Sequence, residues 1–276
     1  MNILISKLCE KNSCFYKLIV CIGFLLTNLA PFLLQSCASV SIRPSSAPFD
    51  YQNIAHIIPS FKEQEMRVHS FFSSGQLISK RGISESESNI LIVGTKAPFI
   101  IKIETTHQWG YPLFHFLVYE TKLQILSFPD KKYYSGSFRP TIYFPIRLES
   151  SQIWSLLRGY PVLQSYNRAH SFKGNQITFF DNEDDIVQII DFFPNSKLPR
   201  RISFPQKRIS IVFSNFKNEN NIYYASNINL HDQKTGIELA LELKQIAFNK
   251  TIPKKIFDLK IPPDFKLLSL KEIKKG

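Results

Sequence analysis

The chain has 276 residues, of which 44% are hydrophobic and 20% charged. That is enough apolar matter for one large or two small domains, and too much for a disordered chain. Lys and Arg number 34 against 22 Asp and Glu, while glycine is sparse at 10 and phenylalanine rich at 24, which excludes collagen-like, low-complexity and polytopic membrane classes.

The front of the chain reads as an export signal. Lys7, Lys11 and Lys17 precede an apolar run from Leu18 to Leu34, softened by Thr27, Asn28 and Pro31. The run is short for a membrane span, which needs about 20 apolar residues, and its flanks are those of a signal peptide. It ends in Leu34-Gln35-Ser36-Cys37. That sequence resembles a bacterial lipobox, in which a small residue precedes the Cys whose thiol accepts a diacylglycerol. The alternative is an uncleaved signal anchor with an incidental Cys. The other cysteines are Cys9, Cys14 and Cys21, so cleavage leaves Cys37 alone and no disulfide scaffold for the body. Cleavage also removes three Lys and one Glu and leaves a formal charge of +10. Export argues against a nucleic-acid partner. The charge fits anionic head groups or acidic proteins, or plain solubility.

Three segments are expected: a signal peptide over 1–36, the lipidated Cys and a Ser/Pro-rich tether over 37–48, and one domain over 49–276. Phe49 to about Met66 carries Ile54, Ile57, Ile58 and Phe61 at near-helical spacing. It predicts a short helix broken near Pro59. From Arg67 onward the pattern is that of strands. They include Ile90–Val93, Phe99–Ile103, Leu113–Tyr119, Leu123–Phe128, Ile177–Phe180, Ile186–Phe193, Ile209–Phe213, Ile222–Leu230 and Ile237–Phe248. Ile237, Leu239, Leu241 and Leu243 alternate with polar or small residues, so that strand has one buried and one wet face. One helix interrupts the series. Ser150 or Ser151 is its expected cap, Ile153, Trp154, Leu156 and Leu157 form its apolar face, and Gly159 and Pro161 end it. The fold class is therefore mainly β: one large curled antiparallel sheet of about ten strands with a short inserted helix, because accumulated twist curls a sheet of that width.

Standard catalytic motifs are absent, and without Cys in the body thiol catalysis is excluded. His56, His69, His107, His115, His170 and His231 show no ligand spacing, and Glu183-Asp184-Asp185 reads as a solvated turn. Neither an enzyme nor a cofactor nor a metal is expected. The most informative segment is Thr105-Thr106-His107-Gln108-Trp109-Gly110-Tyr111-Pro112. Gly110 and Pro112 fit a turn, where the amphipathic rings of Trp109 and Tyr111 favour a membrane interface or a partner pocket. Packing back onto the sheet is the alternative. The many phenylalanines in or beside strands fill a core, and some are candidates to line an acyl pocket.

Together these residues resemble the outer-membrane lipoprotein receptor of the Lol lipoprotein-sorting pathway and its relatives in the lipoprotein-carrier superfamily. The likeness runs from about Arg67 to Phe265 and lies in element order rather than identity. Pro98–Ile103 leads into the loop Gln108–Leu113. Phe144–Leu148 with Ile153–Pro161 looks like the family's proline-led helix, and Ile261-Pro262-Pro263-Asp264-Phe265 like its close. The resemblance implies a half-open barrel with a helical lid, to which the N-terminal helix could add. It implies a cavity for the acyl chains of lipoproteins, and an exposed loop that helps place cargo in the membrane. On this reading Cys37 is lipidated, Trp109 and Tyr111 form the membrane and cargo loop, and Phe99, Ile101, Phe116 and Trp154 line the cavity. Phe99 and Ile101 share a parity and should point the same way. Ala38 after the Cys implies the periplasmic face of the outer membrane, the receptor's site. The implied partners are acylated lipoprotein cargo and a periplasmic carrier, and a monomer is expected. The competing expectation is a lipid-anchored structural lipoprotein with a filled core, or a relative that binds other lipids.

Overall fold

The computed structural model describes residues 49, 51–137 and 148–272. The signal peptide, Cys37, the tether and most of Phe144–Leu148 lie outside the described residues.

Helix α1 spans Tyr51–Met66 and runs straight through Pro59. The expected break is absent. Proline removes one backbone donor and crowds the preceding turn, yet Ile54, Ile57 and Phe61 on the same helix are all buried. Tertiary packing of that stripe outweighs the local defect, and the Ser60 hydroxyl donates to the Ile57 carbonyl at 2.6 Å.

Fourteen strands follow among the described residues. The first six are β1 (Ser70–Arg81), β2 (Ser84–Thr95), β3 (Ile100–Thr106), β4 (Pro112–Tyr119), β5 (Lys122–Ser127) and β6 (Lys132–Ser137). Helix α2 (Ser150–Arg158) comes next. Then come β7 (Arg168–His170), β8 (Gln176–Phe180), β9 (Ile186–Phe192), β10 (Pro199–Phe204), β11 (Ile209–Glu219), β12 (Ile222–Asp232), β13 (Ile237–Phe248) and β14 (Lys266–Ser269). All belong to one sheet in the order β14-β6-β5-β4-β3-β2-β1-β13-β12-β11-β10-β9-β8-β7. Every pairing is antiparallel except β14 on β6. The edge strands β14 and β7 do not pair, so the sheet is curled but unclosed, a half-open barrel.

The register aligns one apolar row across the inner face. Ile101 on β3 lies opposite Val118 on β4, and Leu77 on β1 opposite Leu241 on β13. Ile228 on β12 lies opposite Phe213 on β11, and Ile202 on β10 opposite Ile190 on β9. Residues from both ends of this row join α1 and α2 in a single buried cluster. Both helices therefore sit in the concavity. Phe61 of α1 packs on Phe192 of β9, with ring centroids 6.0 Å apart. A second, small cluster lies on the outer face, where Phe257 covers Val93 and Leu117.

Candidate functional site

Helix α2 is placed by its ends. Its N-cap is Glu149 rather than a serine. Gln152 supplies the reciprocal contact, its Oε1 accepting from the Glu149 N–H at 2.9 Å, so the cap is of the box type with an acidic first residue. At the other end Gly159 adopts φ +75°, a left-handed conformation that a side chain disfavours. Its carbonyl accepts from the Ala225 N–H of β12 at 2.7 Å. An added Cβ would lie 2.5 Å from the Ala225 oxygen. The helix exit is thus stitched to the middle of the sheet. The Ser155 hydroxyl donates to the Tyr160 carbonyl at 3.0 Å and accepts from the Val162 N–H at 3.2 Å, which fixes the chain beyond.

The last residue of α2 is also anchored. Arg158 is fully buried; its Nη1 donates to the Gln64 carbonyl of α1 at 3.0 Å, and its guanidinium lies 5.1 Å from the Tyr160 ring centre. Burial draws the Arg158 pKa down to about 10 and pushes the Tyr160 phenol up to about 12. Gln64 in turn donates to the Asn221 carbonyl and accepts from the Tyr223 N–H, each at 2.9 Å. These contacts lock α1, α2 and β12 to one another.

Between α2 and the sheet is a cavity of about 350 Å³. Its roof is Leu148 with Ile153, Leu156 and Leu157 of α2. Its floor is Leu77 of β1, Ile90 of β2, Ile103 of β3, Phe114 and Phe116 of β4, Ile228 of β12, and Leu239 and Leu241 of β13. Ser79, Ser86, Ser88 and Thr105 lie toward the β1–β2 turn and the β3–β4 loop. A pocket of this size and polarity can hold an apolar ligand and orient it by a few polar groups.

The β3–β4 loop stands on that same end. Trp109 is 81% exposed and Tyr111 68%. The Tyr111 carbonyl accepts from the His107 N–H at 2.7 Å, and the His107 carbonyl accepts from the Gly110 N–H at 2.8 Å. Trp109 touches the His107 ring of its own loop, centroids 5.6 Å apart. At the neighbouring β1–β2 turn Ile83 is fully exposed.

Of the four residues expected at the cavity wall, Phe116 lines it. Ile101, Phe99 and Trp154 belong to the solid core beside it. Trp154 meets Phe71 edge-on at 5.0 Å and Phe99 at a tilt at 6.1 Å between ring centroids, so Phe99 and Ile101 share the interior face. Gly94 makes room: a Cβ there would sit 2.8 Å from Phe71 and 3.2 Å from Trp154. Sequence reasoning missed the walls from β1, β12 and β13. The Leu239–Leu243 alternation was their signal, but nothing in it names the helix that faces those leucines.

The Glu183–Asp185 run forms the β8–β9 turn, where Asp181 Oδ1 accepts from the Glu183 and Asp185 N–H groups and Asp184 pairs with Arg168 at 2.8 Å. Among the described residues, no group of three His, Cys, Asp or Glu is placed to hold a metal, and no helix is long and apolar enough to cross a membrane.

No family model and no curated protein matches this sequence. Solved structures do. The chain is similar to a LolA superfamily protein from Nitrosomonas europaea, with TM-score 0.46 and 14% identity over 73% of this chain and 97% of that one. It is similar to a DUF1329 family protein from Desulfovibrio piger, with TM-score 0.52 and 10% identity over 74% of this chain and 95% of that one. The chain shares the fold of that Desulfovibrio protein.

Proposed function

We propose that this protein is an outer-membrane-anchored lipoprotein whose cavity accepts acyl chains of other lipoproteins and helps insert them into the membrane. The carrying observation is the cavity itself: an apolar space between α2 and the sheet, at the end where Trp109 and Tyr111 stand exposed. Each methylene kept out of water is worth about 0.8 kcal/mol. A chain that passes from a periplasmic carrier to this cavity and on to the bilayer keeps the methylenes the cavity holds out of water. The transfer needs no covalent step, so no enzymatic role is assigned. Trp109 and Tyr111 suit the bilayer interface, where an aromatic body is buried and a polar edge stays wet. Lipidation at Cys37 would hold the domain at the membrane, since two or three chains anchor stably where one does not.

Trp109→Glu tests the reading. The side chain is exposed, so folding should be unchanged in circular dichroism and urea titration. Delivery of an acylated lipoprotein from a periplasmic carrier to vesicles should be blocked. Normal delivery by the folded variant would remove the loop from the mechanism.

A further inference from the structure

The cavity is polar at one end and apolar at the other. On the inner face of β1, Ser79 lies nearer the turn and Leu77 deeper. On β2 the inward row runs Ser86, Ser88 and then Ile90. Ser79 is directly opposite Ser86, and Leu77 opposite Ser88. The three serines make one hydroxyl patch at the rim that carries Trp109 and Tyr111. Thr105 is nearby, but its hydroxyl is engaged: it accepts from the Phe114 N–H at 3.2 Å and donates to the Phe114 carbonyl at 3.3 Å.

Charge narrows the choice of head group. Among the described residues, neither Lys nor Arg lines this cavity, and Glu87 borders it. On the outside of the same hairpin Lys80 is neutralised by Glu85 at 2.8 Å. A phosphate on these serines would meet hydroxyls and no cation among the residues that line the cavity, an unfavourable place for an anion. A hydroxyl or ester head can both donate to and accept from serines.

Volume narrows the choice of tail. An apolar cavity of about 150 Å³ takes a ligand of benzene size. On that scale 350 Å³ takes roughly twelve to fourteen carbons, one acyl chain and not two.

We propose that the cavity binds one single-chain neutral lipid unit, tail inward, with its hydroxyl or ester head on Ser79, Ser86 and Ser88. A multiply acylated cargo is therefore handled one chain at a time. This rests on the acyl-cavity reading above and adds chain number and head-group chemistry to it.

The test uses the full chain in phosphatidylcholine nanodiscs. The probe is 1-monolauroylglycerol with a photoreactive diazirine at the chain end, expected to label peptides holding Leu156, Leu157 or Phe116. Unlabelled 1-monoacylglycerols of increasing chain length compete with it. Transfer between two apolar media cancels per methylene, so competition should stay level to about fourteen carbons, then fall about fourfold for each further methylene left in water. Diacylglycerol should compete at least about tenfold more weakly. The triple variant S79A/S86A/S88A should weaken the monoacylglycerol by about fivefold per hydroxyl bond lost, and leave a fatty-acid methyl ester less affected.

Level competition through much longer chains, or diacylglycerol equal to monoacylglycerol, would overturn the single-chain assignment alone. Unchanged monoacylglycerol competition in the serine variant would overturn the head-group assignment alone. A probe that labels nothing in the cavity of the folded protein would remove the acyl-cavity reading, and this inference with it.

Discussion

At the residue scale, position Gly159 joins conformation to contact. Its φ of +75° and the 2.5 Å that a Cβ would leave to the Ala225 oxygen both exclude a side chain. Gly159→Ala should destabilise the protein by about 2–4 kcal/mol, read as a lower urea midpoint. An unchanged midpoint would mean that the stitch to β12 is dispensable. His115 gives a pH signature. It faces outward on β4, opposite Glu104, with its ring 4.8 Å from Phe128. Burial lowers its pKa from 6.5; Glu104 opposes the shift and Lys102 adds to it. The unfolded chain therefore binds more protons at this position just below pH 6.5. Stability contributed here is complete above that pH and declines as pH falls toward the folded-state value. In His115→Gln, the loss of stability between about pH 7 and pH 5 should shrink, as measured by urea midpoints. An equal loss would assign the acid sensitivity to other groups.

At the element scale, helix α1 shows packing prevailing over propensity. Pro59 is exposed within a helix that buries Ile54, Ile57 and Phe61. Pro59→Ala restores the donor to the Ala55 carbonyl and should raise stability by about 1–2 kcal/mol, with little change in helical content. A fall instead would mean that the proline's restriction of the unfolded chain outweighs the missing bond. The break expected at Pro59 fails for this reason: the rule is local, and the sheet that holds α1 is not. The strands divide in the same way. Those rich in Ile, Leu, Val and Phe, such as β3, β9 and β13, were legible because alternation marks a half-buried strand. β1 with Ser73, Ser74 and Gly75, β6 with Ser135 and Gly136, and β10 with Arg200 and Arg201 carry too little apolar signal to stand out. They are held by neighbours on both sides, which no local window contains. The helix α2 face and its Gly159 exit were legible, whereas its cap was not, because Glu149 and Gln152 act as a reciprocal pair.

At the scale of the whole molecule, an unclosed sheet of fourteen described strands curls around two helices and leaves an apolar space under one of them. The curl followed from strand number and twist. Two aromatic residues at a turn pointed to an exposed loop, and Trp109 and Tyr111 are exposed on it. The wall of the cavity was only partly legible. Phe116 lines it, while Phe99, Ile101 and Trp154 fill the core beside it. Strand parity assigns a residue to the inner face, but only the placement of α2 decides which inner residues meet a helix and which meet a space.

The central claim is that acylated cargo enters this space. The most direct measurement places a photocrosslinking amino acid at Leu157, in the cavity roof, and separately at Ile78, on the outer face of β1. An acylated lipoprotein is then presented on a periplasmic carrier. The account predicts cargo crosslinked at position 157 and not at position 78, with the crosslink reduced when a monoacylglycerol competes. Cargo crosslinked equally at both positions, or at neither while the protein is folded, would contradict it.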